Sequence, residues 1–228
     1  MHPGARGLYV TGTDTGIGKT VASVALLRAL QARGLRATGM KPVASGCTAS
    51  AEGWRNEDAL ALQAASRPSH PYDVHNPYAL PESTAPQLAA RRAGVEVSPV
   101  TLQAAYARWA ADADVVVVEG AGGWLAPLAD GLEQSQLAHL LGLPVVLVVG
   151  VRLGCLNHAR LSERAIHADG LRLVGWIGNR IDPAFADAQA YRELLQDALV
   201  APCLGWLPHA GDGGGPTHES LRLEPLPF

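Results

Sequence analysis

The sequence predicts an α/β fold, a doubly wound and mostly parallel sheet with helices on both faces. Three observations carry the expectation. The apolar run Leu8-Tyr9-Val10 breaks into the glycine- and hydroxyl-rich stretch 11–20, after which an Ala/Leu-rich helical pattern begins. Two later runs, Val115–Val118 and Val145–Val149, are apolar throughout, as strands buried on both faces are. Strand-like and helical patterns then alternate along the chain.

The first element is the most informative. Gly12-Thr13-Asp14-Thr15-Gly16-Ile17-Gly18-Lys19-Thr20 has the order strand, phosphate loop, helix. Backbone N–H groups of such a loop point at an anion, and the helix N-terminus adds partial positive charge. Lys19 then reaches the outer phosphates, and Thr20 places its hydroxyl on Mg²⁺. The usual pattern has four residues between its first Gly and Gly-Lys-Thr; here Thr13 stands at that place and five residues separate Gly12 from Gly18. The expected ligand is a nucleoside triphosphate.

Val21–Arg33 reads as the helix that holds the phosphates, closed by Gly34. A strand candidate over 35–46 ends in Pro and Gly and delivers Lys41 and Ser45 to the carboxyl edge, where open parallel sheets bind ligands. By itself Lys41 reads equally as solvated charge or as a second cation on the phosphates. Asn56 is a candidate N-cap with Glu57 and Asp58 in the first turn, so Asp58 either complements the helix dipole or offers a carboxylate to Mg²⁺. Residues 67–86 turn to Pro, His, Tyr, Ser and Asn, a loop long enough to cover a site. Helices are expected at Leu88–Arg92 and Val100–Ala111, the second opened by Ser98-Pro99.

Glu119 ends the valine run and precedes Gly120-Ala121-Gly122-Gly123. A carboxylate there fits Mg²⁺ or its water shell better than a core, because buried acids are rare unless paired or metal-bound. Helices follow over Gln134–Leu141 and from Gly154 to about Ala168, with the strand Pro144–Gly150 between them. The start at Gly154 exposes N–H groups suited to a carboxylate. A strand over Leu171–Ile181 presents Asn179, whose amide suits a base edge. A helix from Asp182-Pro183 through Leu199 and a short strand over Cys203–Pro208 complete the pattern.

Bulk properties bound the rest. At 228 residues a single domain spanning 1–228 is expected, with a flexible tail from about 211. A net charge of −3 gives no basic footprint for nucleic acid or an anionic membrane. Cys47, Cys155 and Cys203 are odd in number and widely spaced, which points away from disulfides and zinc and toward the cytoplasm. No apolar run approaches membrane-spanning length, and residues 1–6 carry no signal-peptide core.

Taken together the motifs resemble the ATP-dependent dethiobiotin synthetases of biotin biosynthesis. The resemblance rests on the loop 12–20, Lys41-Pro42-Val43-Ala44-Ser45-Gly46, Asn56-Glu57-Asp58-Ala59, Asn76-Pro77-Tyr78, Val118–Gly123 and Gly150–His158, in order along nearly the whole chain. That family's phosphate loop has five intervening residues. The resemblance implies a P-loop homodimer that closes the ureido ring of dethiobiotin from 7,8-diaminononanoate and CO₂ with ATP and Mg²⁺. It makes Lys41 and Lys19 catalytic, and places Thr15 and Ser45 near the carbamate. Thr20, Asp58 and Glu119 become the magnesium set, and Gly16, Ile17, Gly18, Lys19, Thr20, Val21, Glu119, Gly120, Ala121 and Gly122 the phosphate contacts. Asn179 and Arg180, with Pro208, His209 and Ala210, correspond to the adenine end. Gly154, Cys155 and Asn157 match the segment that receives the substrate carboxylate from across the dimer. Two departures stand out: Gly16 replaces an acid found in some members, and Arg180 an Asp. A partition or cell-division ATPase is the alternative, but its usual extra lysine is missing from Gly12-Thr13-Asp14-Thr15.

Overall fold

The computed structural model describes residues 6–109, 111–209 and 221–227. Strand β1 (Arg6–Gly12) feeds the glycine-rich loop, and helix α1 (Lys19–Ala32) starts at its lysine. After β2 (Ala37–Met40) come β3 (Val43–Ala44), the hairpin β4 (Thr48–Ser50) and β5 (Gly53–Arg55), and helix α2 (Glu57–Ala65). Two short pieces, α3 (Tyr72–His75) and β6 (Tyr78–Ala79), interrupt the Pro-rich stretch before α4 (Pro86–Ala93) and α5 (Pro99–Trp109). The second half contains β7 (Val115–Gly123), the hairpin β8 (Pro127–Ala129) and β9 (Leu132–Glu133), α6 (Gln134–Leu141) and β10 (Val145–Val151). It ends with α7 (Cys155–Ala168), β11 (Leu173–Arg180), α8 (Ala188–Ala198) and β12 (Cys203–Leu207).

Six strands form one parallel sheet in the order β12-β11-β10-β1-β7-β2, so β1 lies at the centre. Strand alternation explains why the valine runs carry no polar face. Val115 and Val117 face α1 together with Leu8 and Val10, whereas Val116 and Val118 face the opposite cluster with Tyr9, Leu147 and Val149. Both clusters are buried, and an alternating apolar/polar pattern would expose one of them to water. Helix α1 and Leu62 of α2 cover one face; α4 to α8 contribute to the cluster on the other.

Three expectations need correction. The strand expected over 35–46 leaves the sheet at Met40; Pro42 has no N–H for a ladder, and Val43-Ala44 pairs with β6 instead. The helix expected from Asp182 begins at Ala188, because the Asp182 carboxylate accepts from the Ala184 N–H at 2.9 Å and closes a local turn. The tail expected to be loose is packed where it is described: Leu221, Leu223 and Leu226 are buried, and Leu221 bridges Gly205. Residues 211–220 of that tail lie outside the described residues.

Candidate active site

The carboxyl edge of the sheet opens into a cleft of about 680 Å³. The phosphate loop forms one wall. Gly16 and Gly18 both have left-handed backbone, with φ of 72° and 82°. At Gly18 space matters as well, since a Cβ would stand 2.0 Å from Asn179 Nδ2. Asp14 ties the loop together: its carboxylate accepts from the Thr15 N–H at 2.7 Å and from Arg152 at 2.6 Å, and its carbonyl accepts from Lys19 Nζ at 2.9 Å. Burial, reinforced by repulsion from Lys41, lowers the Lys19 pKa to about 8.

Opposite the loop, three elements deliver charge to one point. Lys41, just past β2, donates to Glu119 Oε1 at 2.6 Å, to Asp58 Oδ2 at 3.1 Å and to the Gly120 carbonyl at 3.3 Å. Glu119 is fully buried in the middle of β7, and Lys41 is only 4% exposed. Burial disfavours the ammonium, but the two carboxylates outweigh it and raise the Lys41 pKa. Burial also opposes ionisation of Asp58, yet the Lys41 charge and a hydrogen bond from Thr20 hold its carboxyl below the usual range. Asn56 caps α2, accepting from the Ala59 N–H at 3.2 Å, and so fixes the turn that carries Asp58.

The donor set suits a hard divalent cation. Thr20 Oγ1 lies 2.9 Å from Glu119 Oε1, and Glu119 Oε2 is a buried oxygen with no hydrogen-bond partner among the described residues. Mg²⁺ binds through one or two carboxylates plus substrate phosphates and water, which is the chemistry these residues offer.

Of the residues expected from sequence, Thr15, Gly16, Gly18, Lys19, Thr20, Val21, Lys41, Ser45, Asp58, Glu119, Ala121 and Gly122 line the cleft. Ile17 does not; its side chain is buried in the α1-side core. Gly120 contributes its carbonyl to Lys41. Asn179 is 5% exposed and donates to the Ile17 carbonyl at 2.8 Å, behind the loop rather than in the cleft. Arg180, Pro208 and His209 sit near Asn179 at the ends of β11 and β12, and Ala210 lies outside the described residues. Gly154, Cys155 and Asn157 form the start of α7, with the Cys155 side chain in the core. The cleft also has a wall that no motif marked: Ser83 to Pro86, Ala126 and Pro127. Only the loop-like composition of 67–86 hinted at it.

A glycine-rich loop closed by Lys19-Thr20, with an acid on the neighbouring strand, defines a P-loop nucleoside-triphosphate-binding protein. The family model described as "AAA domain" matches residues 6–217. Solved structures agree on the fold. The cell-division MinC:MinD complex of Aquifex aeolicus aligns with TM-score 0.56 and 16% identity over 90% of this chain and 82% of its own. A ParA family ATPase of Chlorobium tepidum aligns with TM-score 0.55 and 14% identity over 91% and 86%. Much closer in sequence is the ATP-dependent dethiobiotin synthetase of Xylella fastidiosa strain 9a5c, 59% identical over 95% of this chain and 96% of its own length. That of Xanthomonas campestris pv. campestris strain ATCC 33913 is 61% identical over 89% and 92%. The chain belongs to the ATP-dependent dethiobiotin synthetase family.

Proposed function

We propose that the cleft closes the ureido ring of dethiobiotin, converting 7,8-diaminononanoate, CO₂ and ATP to dethiobiotin, ADP and phosphate. One substrate amine attacks CO₂, loses a proton and becomes a carbamate. A carbamate oxygen takes the γ-phosphoryl group from ATP, giving a carbamic–phosphoric anhydride and ADP. The second amine then attacks the carbonyl carbon, loses a proton and expels phosphate, closing the ring. No protein nucleophile is needed. The work left to the chain is positioning and charge stabilisation.

The observation that supports this best is Lys41 Nζ, held between Glu119 and Asp58 and near enough to Lys19 to depress its pKa. Lys19 and the loop N–H groups bind the β- and γ-phosphates. Thr20, Asp58 and Glu119 would hold Mg²⁺, which would supply positive charge to offset that of the transferring phosphoryl group. Lys41, paired with both carboxylates here, would be free to turn toward the carbamate and the transferring phosphoryl group if those acids served the ion instead. Thr15 and Ser45 face the same space and orient the carbamate, while Ser83 to Pro86 screen it from water.

The adenine end is assigned to Asn179, Arg180, Pro208 and His209, on the far side of the loop from Lys41. A homodimer is part of the proposal, with Gly154, Cys155 and Asn157 of one copy receiving the carboxylate tail of a diamine bound to the other. Its support is two exposed leucines that flank that segment, Leu153 at 80% and Leu161 at 56%. A single domain is supported by both core clusters resting on one sheet. Three free cysteines agree with a cytoplasmic enzyme. Among the described residues, no helix is long and apolar enough to cross a membrane.

The test is turnover by the purified protein with ATP, Mg²⁺ and bicarbonate. Equimolar dethiobiotin and ADP, formed only when the diamine is present, supports the proposal. ATP hydrolysis that ignores the diamine but responds to DNA or lipid contradicts it, and favours the partition-type ATPase.

A further inference from the structure

The Asn76-Pro77-Tyr78 motif lies outside the cleft, yet its asparagine touches the chain at Lys41. Asn76 is 3% exposed, and its Nδ2 donates to the Lys41 carbonyl at 2.7 Å and to the Tyr78 carbonyl at 3.1 Å. The preceding residue holds the other main-chain group: the Lys41 N–H donates to the His75 carbonyl at 2.7 Å. With two carbonyls on its nitrogen side, the Asn76 amide must present Oδ1 the other way. There it accepts from Tyr72 Oη at 2.9 Å, and Tyr72 Oη in turn accepts from the Asn56 N–H at 2.8 Å. Asn56 is the N-cap of α2, two residues before Asp58, and Asp58 returns to Lys41 Nζ. The chain of contacts is a closed ring. It joins the main chain of Lys41 to its own side-chain partner through Asn76, Tyr72 and the cap of α2.

Each member of the ring has a reason that packing alone does not supply. A phenol that accepts one hydrogen bond and donates another fixes the separation of the two groups it joins. Here those groups are the segment bearing Lys41 and the helix start bearing Asp58, which are joined along the chain by the exposed β4–β5 hairpin and packed together further back, where Leu62 of α2 lies against Gly39. Arg55, the last residue of that ribbon, stacks on the Tyr72 ring at 4.3 Å and holds the phenol in place. We propose that Tyr72 and Asn76 are positioning residues for ring closure, setting the distance between Lys41 and Asp58 and thereby the metal-binding geometry of Asp58. Neither touches substrate; both act through the two residues they join. The inference rests on the function proposed above, because Lys41 and Asp58 must be working groups for their spacing to matter.

The phosphate loop is not part of the ring, which makes the consequence selective. In Tyr72→Phe the ring stack on Arg55 is kept, while the Asn56 N–H and Asn76 Oδ1 lose their common partner. Nucleotide affinity without Mg²⁺ should stay within twofold of wild type, the gain in affinity on adding Mg²⁺ should fall at least threefold, and kcat at least fivefold. Tyr72→Ala should lose at least as much. The experiment titrates a fluorescent ATP analogue with and without Mg²⁺ in the absence of diamine, alongside kcat, KM for ATP and melting temperature. Mg²⁺-dependent affinity and kcat within twofold of wild type in folded Tyr72→Phe would overturn the proposal. So would equal losses with and without Mg²⁺, which mean general loosening, or a normal Phe variant beside an impaired Ala variant, which assigns the role to stacking. If wild type itself fails to make dethiobiotin while the Mg²⁺ binding pattern holds, the proposed function fails and only the effect of Tyr72 on the metal-binding geometry of Asp58 stands.

Discussion

The phosphate loop and the bracket behind β2 each hold one lysine of the cleft, in opposite electrostatic states. Lys19 has a main-chain carbonyl as its hydrogen-bond partner, and burial has pushed its pKa down to about 8. Lys41 is more deeply buried but paired with two carboxylates, and its pKa is raised. Burial alone favours the neutral amine at both positions, so the difference comes from the partners. It teaches what each region lacks before substrate arrives. The loop lacks negative charge, which the triphosphate brings. The bracket sets one ammonium against two carboxylates, a surplus of negative charge that suits a further cation, and in the proposed function Lys41 acts once that cation has its carboxylates.

The contrast is broken most severely by removing Lys41. In Lys41→Ala, ring closure is expected to fall by about 10²–10³ in kcat, the usual loss for a donor aimed at developing charge. Mg²⁺-dependent nucleotide binding should persist, because Glu119 and Asp58 are left without a competing cation. The metal-free variant should also be less stable, by up to about 3–5 kcal/mol, as buried Glu119 loses its cation. Assays of dethiobiotin, nucleotide titration and thermal melts with and without Mg²⁺ check all three. Glu119→Gln attacks the bracket from the other side. The Mg²⁺ concentration for half-maximal activity should rise by at least about 10–100-fold, the loss that follows when only the supporting partners of a metal's ligands are changed.

The loop side is sharpened by pH. Free Lys19 loses its proton as pH rises through about 8, so nucleotide affinity should weaken above that point, by at most about tenfold per pH unit. The effect on folding has the opposite sign. The folded pKa lies below the unfolded value of about 10.4, so between the two the unfolded chain binds more protons and stability rises with pH. Lys19→Arg, which stays charged, should flatten the affinity profile in a direct titration. The smallest effect is expected from Arg152→Ala. Its ion pair with Asp14 is nearly half exposed on both sides, and such pairs contribute about 0–1 kcal/mol, so kcat should stay within about twofold.

Residues that announce themselves locally were legible in sequence on both sides. Gly12 to Thr20 is contiguous, its glycines answer to local backbone angles, and Glu119 betrayed itself as an acid ending a buried valine run. Asn56 was recognisable as a cap because capping is local. The contacts that tie the bracket's parts together have no such signature. Asn76 meets Lys41 across 35 residues of chain, and Tyr72 reaches the N–H of Asn56 across 16, so their roles exist only once the sheet has brought β2 and α2 together. Ser83 to Pro86 read as loop, and nothing in a loop's composition says which wall it forms. The helix overrun at Asp182 has a comparable cause, since a local side-chain turn there competes with helix initiation.

In the proposed function Lys41 exchanges its carboxylates for substrate once the cleft is loaded. A crystal structure of the protein with Mg²⁺, a non-hydrolysable ATP analogue and the diamine tests it directly. Lys41 Nζ should have left the 2.6 Å contact with Glu119 and turned to the γ-phosphate and the reacting amine, with Asp58 and Glu119 on the metal. Lys41 still hydrogen-bonded to both carboxylates in the fully loaded complex would contradict it.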